Sequence, residues 1–111
     1  MHSGGRRMKK IYLVGLPNAG KSSIFNKLTH SDVHTGNWHG VTVNKSVATM
    51  IIENEKYLIT DLPGIYGLVP FSPEESVSIS EILDNQDSIF VNVIDCNNLE
   101  RSLNLTLQLL E

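Results

Sequence analysis

Gly15-Leu16-Pro17-Asn18-Ala19-Gly20-Lys21-Ser22 decides how this chain folds. The octet fits G-x-x-x-x-G-K-S/T, the phosphate-binding P-loop. Its flanks suit that reading. Ile11-Tyr12-Leu13-Val14 before it is a short apolar run of strand length. Ser23-Ile24-Phe25-Asn26-Lys27-Leu28 after it suits a helix. A strand that feeds a glycine-rich turn and a helix N-terminus aims several backbone N–H groups at one point, where the helix dipole is positive. Gly15, Leu16, Pro17, Asn18, Ala19, Gly20, Lys21, Ser22 and Ser23 are therefore expected to cradle phosphate. Lys21 is expected to reach the terminal phosphates, and Ser22 to offer its hydroxyl to Mg²⁺.

Outward from this stretch, β-branched residues are dense from Val41-Thr42-Val43 to Ile51-Ile52, which predicts a strand. Glu53-Asn54-Glu55-Lys56 reads as a polar turn, and Tyr57 to Asp61 as the returning strand of a hairpin. Pro63 and Gly64 stop it. Ser72-Pro73-Glu74-Glu75 has the form of a helix start, with a serine cap, proline at the first position and a glutamate completing a capping box. Ser88 to Asp95 is a largely apolar strand. Asn98 to Glu111 carries six leucines among polar residues and suits an amphipathic helix. Strands alternating with helices predict an α/β fold, a mostly parallel sheet with helices on both faces.

Bulk properties narrow the function. The chain has 111 residues and suits one domain, yet is short for a complete nucleotide-binding α/β domain. Its formal net charge of −3 argues against nucleic acid as a partner. Cys96 is the only cysteine, which excludes an internal disulfide and suits a reducing compartment. No apolar run approaches the roughly 20 residues of a membrane helix. Met1 to Arg7 looks like an added leader ahead of a start at Met8, so residues 1–8 are expected to be flexible.

Two more segments support nucleotide chemistry. Asp61-Leu62-Pro63-Gly64 begins at the end of an apolar strand. An acidic residue there can hold Mg²⁺, and a glycine lets a backbone N–H meet a γ-phosphate. Gly36-Asn37-Trp38-His39-Gly40-Val41-Thr42 lies where switch GTPases close a threonine over Mg²⁺ and triphosphate, and Thr42 is the candidate. Asn18, beside the phosphates, is placed to hold a monovalent cation.

The segments GLPNAGKS, GNWHGVTV and DLPG, with Val91 to Arg101 and the tail Leu105 to Glu111, resemble the N-terminal G domain of the bacterial ferrous iron transport protein B (FeoB) family. The resemblance runs from about residue 9 to residue 111. It implies a P-loop NTPase G domain incomplete at its C-terminus. It implies GTP and GDP as ligands, Mg²⁺-dependent hydrolysis and stimulation by K⁺. The parent would carry a membrane permease domain, with this part on the cytoplasmic face of the inner membrane and soluble by itself. The family's metal sites map onto Ser22, Thr42 and Asp61 for Mg²⁺, and onto Asn18 with the carbonyls of Gly36 and Trp38 for K⁺. Asn18, Lys21 and Thr42 are the catalytic candidates. Nucleotide contacts map onto residues 15 to 23, Gly40, Val41, Thr42, Asp61, Leu62, Pro63 and Gly64.

Ile65 stands where Ras-like proteins carry a catalytic glutamine, and no side chain here is a candidate general base. His39 and Asn44 depart from the family pattern, as does Gly67. The guanine-reading motif of the family falls beyond residue 111. The alternative is a non-enzymatic fragment that binds nucleotide weakly and self-associates through an uncovered sheet edge or the helix at Asn98–Glu111. An ATPase is a third reading, against which the Gly-Asn-Trp segment speaks. Asn92 is expected to be a strand residue rather than a base reader. Cys96 is expected to pack, and His30, His34 and His39 to be solvated.

Overall fold

The computed structural model describes residues 9–17, 19–29 and 33–110. The side chains of Ser22, Leu28 and Thr29 lie outside that description, as do residues 1–8, Asn18 and His30. The chain runs β1 (Lys9–Gly15), α1 (Lys21–Thr29), β2 (Val33–Asn37), β3 (Asn44–Ile52), β4 (Glu55–Asp61), α2 (Pro73–Asp84), β5 (Ile89–Val93) and α3 (Leu99–Leu110). A 3₁₀ turn, Cys96–Asn98, precedes α3.

The five strands form one sheet in the order β2-β3-β4-β1-β5. β1 pairs in parallel with β4 and with β5, while β2·β3 and β3·β4 are antiparallel. The sheet is thus mixed, where a mostly parallel one was expected. The hairpins at its β2 side account for the difference, since strands joined by short turns must run antiparallel.

β1 is central, and Ile11 to Gly15 are all buried. That is why its sequence is a continuous apolar run rather than an alternating one. Its side chains still divide by face. Ile11 and Leu13 pack with Phe25 of α1, Ala48 and Ile59. Tyr12 and Val14 pack with Ile79 and Ile82 of α2 and Leu105 of α3. Helices therefore cover both faces, as expected.

The β3–β4 turn is tighter than the sequence suggested. Ile52 already faces Glu55, so only Glu53 and Asn54 turn the chain. Both take positive φ, 51° and 67°. A two-residue hairpin turn of this hand matches the twist of its strands. At the other end β3 starts at Asn44, not at Val41. Trp38 N–H donates to the Val43 carbonyl (2.9 Å) and Val41 N–H to the Trp38 carbonyl (3.2 Å), which closes residues 38–43 into a turn. β2 carries no strand signal in its sequence. All five of its residues are exposed, so it buries no alternating face and leaves no hydrophobic period to read.

α2 begins as expected. Ser72 Oγ accepts from Glu75 N–H (3.2 Å), with Pro73 at the first helical position. In α3, Leu105 is fully buried and Leu109 partly so, but Leu99, Leu103, Leu107 and Leu110 face outward. The leucines thus mark two stripes rather than one buried face. Asn92 sits in β5, as expected of a strand residue, and donates to Thr106 of α3. Cys96 is exposed rather than packed, because it falls just past β5 where the chain turns into the 3₁₀ segment.

Candidate functional site

The site lies at the carboxyl ends of β1 and β4, where a parallel pair opens onto the turns that follow it. Gly15 must be glycine for a packing reason. A Cβ there would stand 2.8 Å from the Val93 carbonyl oxygen and 3.4 Å from Lys21 Cδ. Gly20 takes φ +91°, a region that only glycine enters freely. Ala19 N–H donates to the Leu16 carbonyl (3.1 Å) and Ile24 N–H to the Gly20 carbonyl (3.1 Å), so the loop runs directly into α1.

Lys21, first residue of that helix, is buried. It shares a cavity of about 540 Å³ with Thr42, Val43, Asn44, Ser46, Asp61, Leu62, Pro63 and Glu74. Lys21, Thr42, Asp61, Leu62 and Pro63 were all expected to meet at phosphate, and here they line one space. Asp61 ends β4. Burial pushes its carboxyl above the ordinary carboxylate range, and the Lys21 ammonium pulls it partly back. Its Oδ1 is buried and meets no hydrogen-bond partner among the described residues. An unpartnered buried carboxylate oxygen carries a desolvation cost that a cation would offset. The donor set of Asp61 and Thr42, all hard oxygen, fits Mg²⁺.

Asp61-Leu62-Pro63-Gly64 is docked directly on the P-loop. Leu62 N–H donates to the Leu13 carbonyl (3.2 Å) and Ile65 N–H to the Gly15 carbonyl (3.0 Å). A Cβ on Gly64 would lie 2.5 Å from Pro17 Cα, so two backbones touch here. Ile65 is fully buried in the core and offers nothing to a water molecule at the site. The following loop is held from behind. Ser78 Oγ donates to the Pro63 carbonyl (2.6 Å). The buried Glu75 carboxylate accepts from Phe71 N–H (3.1 Å) and Tyr66 N–H (3.5 Å). Gln108 Oε1 of α3 accepts from Leu68 N–H (2.9 Å).

Other expected residues lie elsewhere. Gly40 and Val41 are exposed in the 38–43 turn. Gly36 lines a separate concavity over β2 and β3 with Thr35, Asn37 and Lys45. The Trp38 ring is buried in the core with Val43, Leu62 and Ile65. His34 and His39 are exposed. Asn18 and the Ser22 side chain lie outside the described residues. Asn44, Ser46 and Glu74 were not singled out as lining residues. Ser46 had a readable signal: a two-residue turn at 53–54 places it opposite Asp61.

The sequence model for Ferrous iron transport protein B matches residues 9–111. The chain belongs to the FeoB family. It is 45% identical over 102 residues to the Fe(2+) transporter FeoB of Methanocaldococcus jannaschii, covering 92% of this chain and 15% of that protein. It is 43% identical to the FeoB of Escherichia coli strain K12, covering 94% of this chain and 14% of that protein. The chain thus spans about one-seventh of the length of these relatives. The G domain of the T. maritima FeoB iron transporter superposes with a TM-score of 0.87 at 37% identity, covering 94% of this chain and 65% of that one. A GDP-bound variant of the S. thermophilus FeoB G domain gives 0.79 at 45% identity, covering 92% and 39%. The fold is therefore that of a FeoB G domain, in part. Among the described residues no helix is long and apolar enough to cross a membrane.

Proposed function

We propose that this chain is the phosphate- and metal-binding part of a GTP-hydrolysing domain that serves a ferrous iron transporter. The observation that carries the reading is the single cavity lined by Lys21, Thr42 and Asp61. Lys21 binds the β- and γ-phosphates as a point charge. Ser22, Thr42 and Asp61 would hold Mg²⁺, which would supply positive charge to neutralise the phosphates. Thr42 belongs to the switch turn and engages only a triphosphate complex. Asn18 and the carbonyls of Gly36 and Trp38 would hold K⁺, whose charge would stand in for an arginine finger; the switch segment would have to rearrange to form this site, since Gly36 lies at a separate concavity and the Trp38 carbonyl accepts from Val41 N–H. With Ile65 buried, the attacking water is oriented by backbone and switch-loop groups rather than by a side-chain base. The parent places this part beside its membrane permease, on the cytoplasmic side.

A second reading is favoured by the exposed apolar residues at the far side of the sheet. β5 is an edge strand whose Ile89 and Val91 are exposed, next to the outward leucines of α3. In the isolated chain this edge supports self-association, with weak nucleotide binding and little turnover.

Titration of the chain with fluorescent GDP and ADP in Mg²⁺ buffer, with light scattering for mass, tests both readings. Lys21→Ala removes a charge-assisted contact worth roughly 1.5–3 kcal/mol, so affinity should fall about tenfold or more. GDP and ADP affinities should lie within about tenfold, since no guanine-specific buried partner is assigned here. Unchanged affinity in Lys21→Ala refutes the phosphate reading. Tight, guanine-selective binding by a strict monomer refutes the second. Turnover compared in K⁺ and Na⁺ buffers tests the cation role.

A further inference from the structure

The 38–43 turn carries Thr42 to the cavity, and it is tied to the core at its two ends, by Trp38 and Val43. Trp38 is buried in the cluster that also holds Val43, Leu62, Ile65 and Ile79. Its indole Nε1 is buried and meets no acceptor among the described residues. Among the described residues no hydrogen bond of the ring fixes its orientation. Packing does so, together with one further contact. The ammonium of Lys45 stands 4.4 Å from the centroid of the Trp38 ring. Alternation along β3 explains how it gets there. Ala48 and Met50 pack on the α1 side of the sheet, so Lys45, out of step with both, belongs to the opposite face, where Trp38 lies. A cation over an indole face is attractive, and more so where the ring is desolvated.

The backbone transmits that hold. Trp38 N–H bonds to the Val43 carbonyl and Val41 N–H to the Trp38 carbonyl, so Thr42 sits inside a closed turn whose first residue is the clamped one. Thr42 and Val43 both line the cavity with Lys21 and Asp61. We propose that Lys45 is a positioning residue, its ammonium clamping Trp38 in the core and thereby holding Thr42 at the cavity wall. The job given to Thr42 rests on the function proposed above; the clamp itself does not.

Trp38 is the only tryptophan, so its emission reports the clamp directly. Acrylamide quenching is measured on the nucleotide-free chain for wild type, Lys45→Arg, Lys45→Met and Lys45→Gln, with circular dichroism as the check on folding. Arginine keeps a cation over the ring, whereas methionine keeps an apolar stem without charge. The quenching constant should rise about two- to three-fold in Lys45→Met and Lys45→Gln, with a red shift, and stay near wild type in Lys45→Arg. Equal quenching in Lys45→Met and Lys45→Arg overturns the clamp, since packing by the stem would then suffice. GTP turnover with Mg²⁺ is the second arm. A two- to three-fold loss in Lys45→Met, kept by Lys45→Arg, links the clamp to Thr42. Turnover unchanged in Lys45→Met while quenching rises overturns that link. Charge-dependent quenching in a chain whose wild type turns over no GTP upholds the clamp and refutes the hydrolytic function instead.

Discussion

The two segments that close on the cavity are built in opposite ways. The segment after β4, residues 62–72, is held by backbone bonds to β1 and the P-loop, by Ser78 and Glu75 of α2, and by Gln108 of α3. Gly64 touches Pro17 backbone to backbone. The turn before β3, residues 38–43, is closed on itself and enters the core through Trp38 and Val43. One wall of the site is thus fixed to three elements, while the other is a short turn seated by a ring. On the function proposed above, a site that takes up a triphosphate and later releases a diphosphate needs one rigid side to define geometry and one side that can move.

The strongest test of the rigid wall is Gly64→Ala. A methyl 2.5 Å from Pro17 Cα has no flexible neighbour to displace, so backbone must shift. We expect a loss of about 3 kcal/mol in urea unfolding, at the upper end for overpacked sites. A stable Gly64→Ala protein would show that this wall gives way, and the contrast would collapse. Glu75→Ala comes next. It leaves Phe71 and Tyr66 N–H without their carboxylate, and should cost about 2 kcal/mol in the same measurement. Thr42→Ala probes the other wall. Thr42 is exposed in its turn, so stability should change by no more than about 0.5 kcal/mol, while GTP turnover falls and GDP affinity is retained. Equal loss of both nucleotides would mean that the turn is structural after all.

The smallest effect sharpens the boundary between the walls. Burial raises the Asp61 carboxyl above its ordinary range. The folded chain then keeps this proton at pH values where the unfolded chain has lost it. Stability from this group is therefore full at low pH and falls as pH rises from the ordinary carboxylate value to the raised one. Asp61→Asn should flatten that part of the metal-free stability profile and abolish its reversal by Mg²⁺. A profile identical to wild type would show that Asp61 is solvated.

Much of this was legible because phosphate binding is a local problem. The octet at 15–22 lies within one strand-turn-helix unit, and Ser72-Pro73-Glu74-Glu75 within one helical turn, so their residues meet wherever the rest of the chain goes. Three things were not legible. β2 buries nothing, and a strand held by backbone pairing alone writes no pattern into its side chains. Val41 to Val43 have strand-forming side chains, but the bond from Trp38 N–H to the Val43 carbonyl draws them into a turn. The role of Gly64 looked like phosphate contact, whereas the structure gives it a packing reason as well: Pro17 leaves no room for a Cβ. That approach joins residues far apart in sequence, which no local pattern encodes. Asn18, the Ser22 side chain and His30, being outside the described residues, stand as sequence expectations.

The left-handed turn at Glu53-Asn54 bears on the order in which the molecule assembles. It joins β3 to β4 across two residues, so this hairpin closes the shortest loop of any strand pairing described. β1, by contrast, finds Tyr57 on one side and Ile89 on the other, dozens of residues along the chain. Loop closure over such distances costs more entropy and is offset only once both neighbours are present. The hairpin is then the natural nucleus, and the central strand a late arrival. The phosphate loop hangs from the end of that strand, so the binding function appears only when the sheet is complete, and a ligand held there selects against every partly assembled chain.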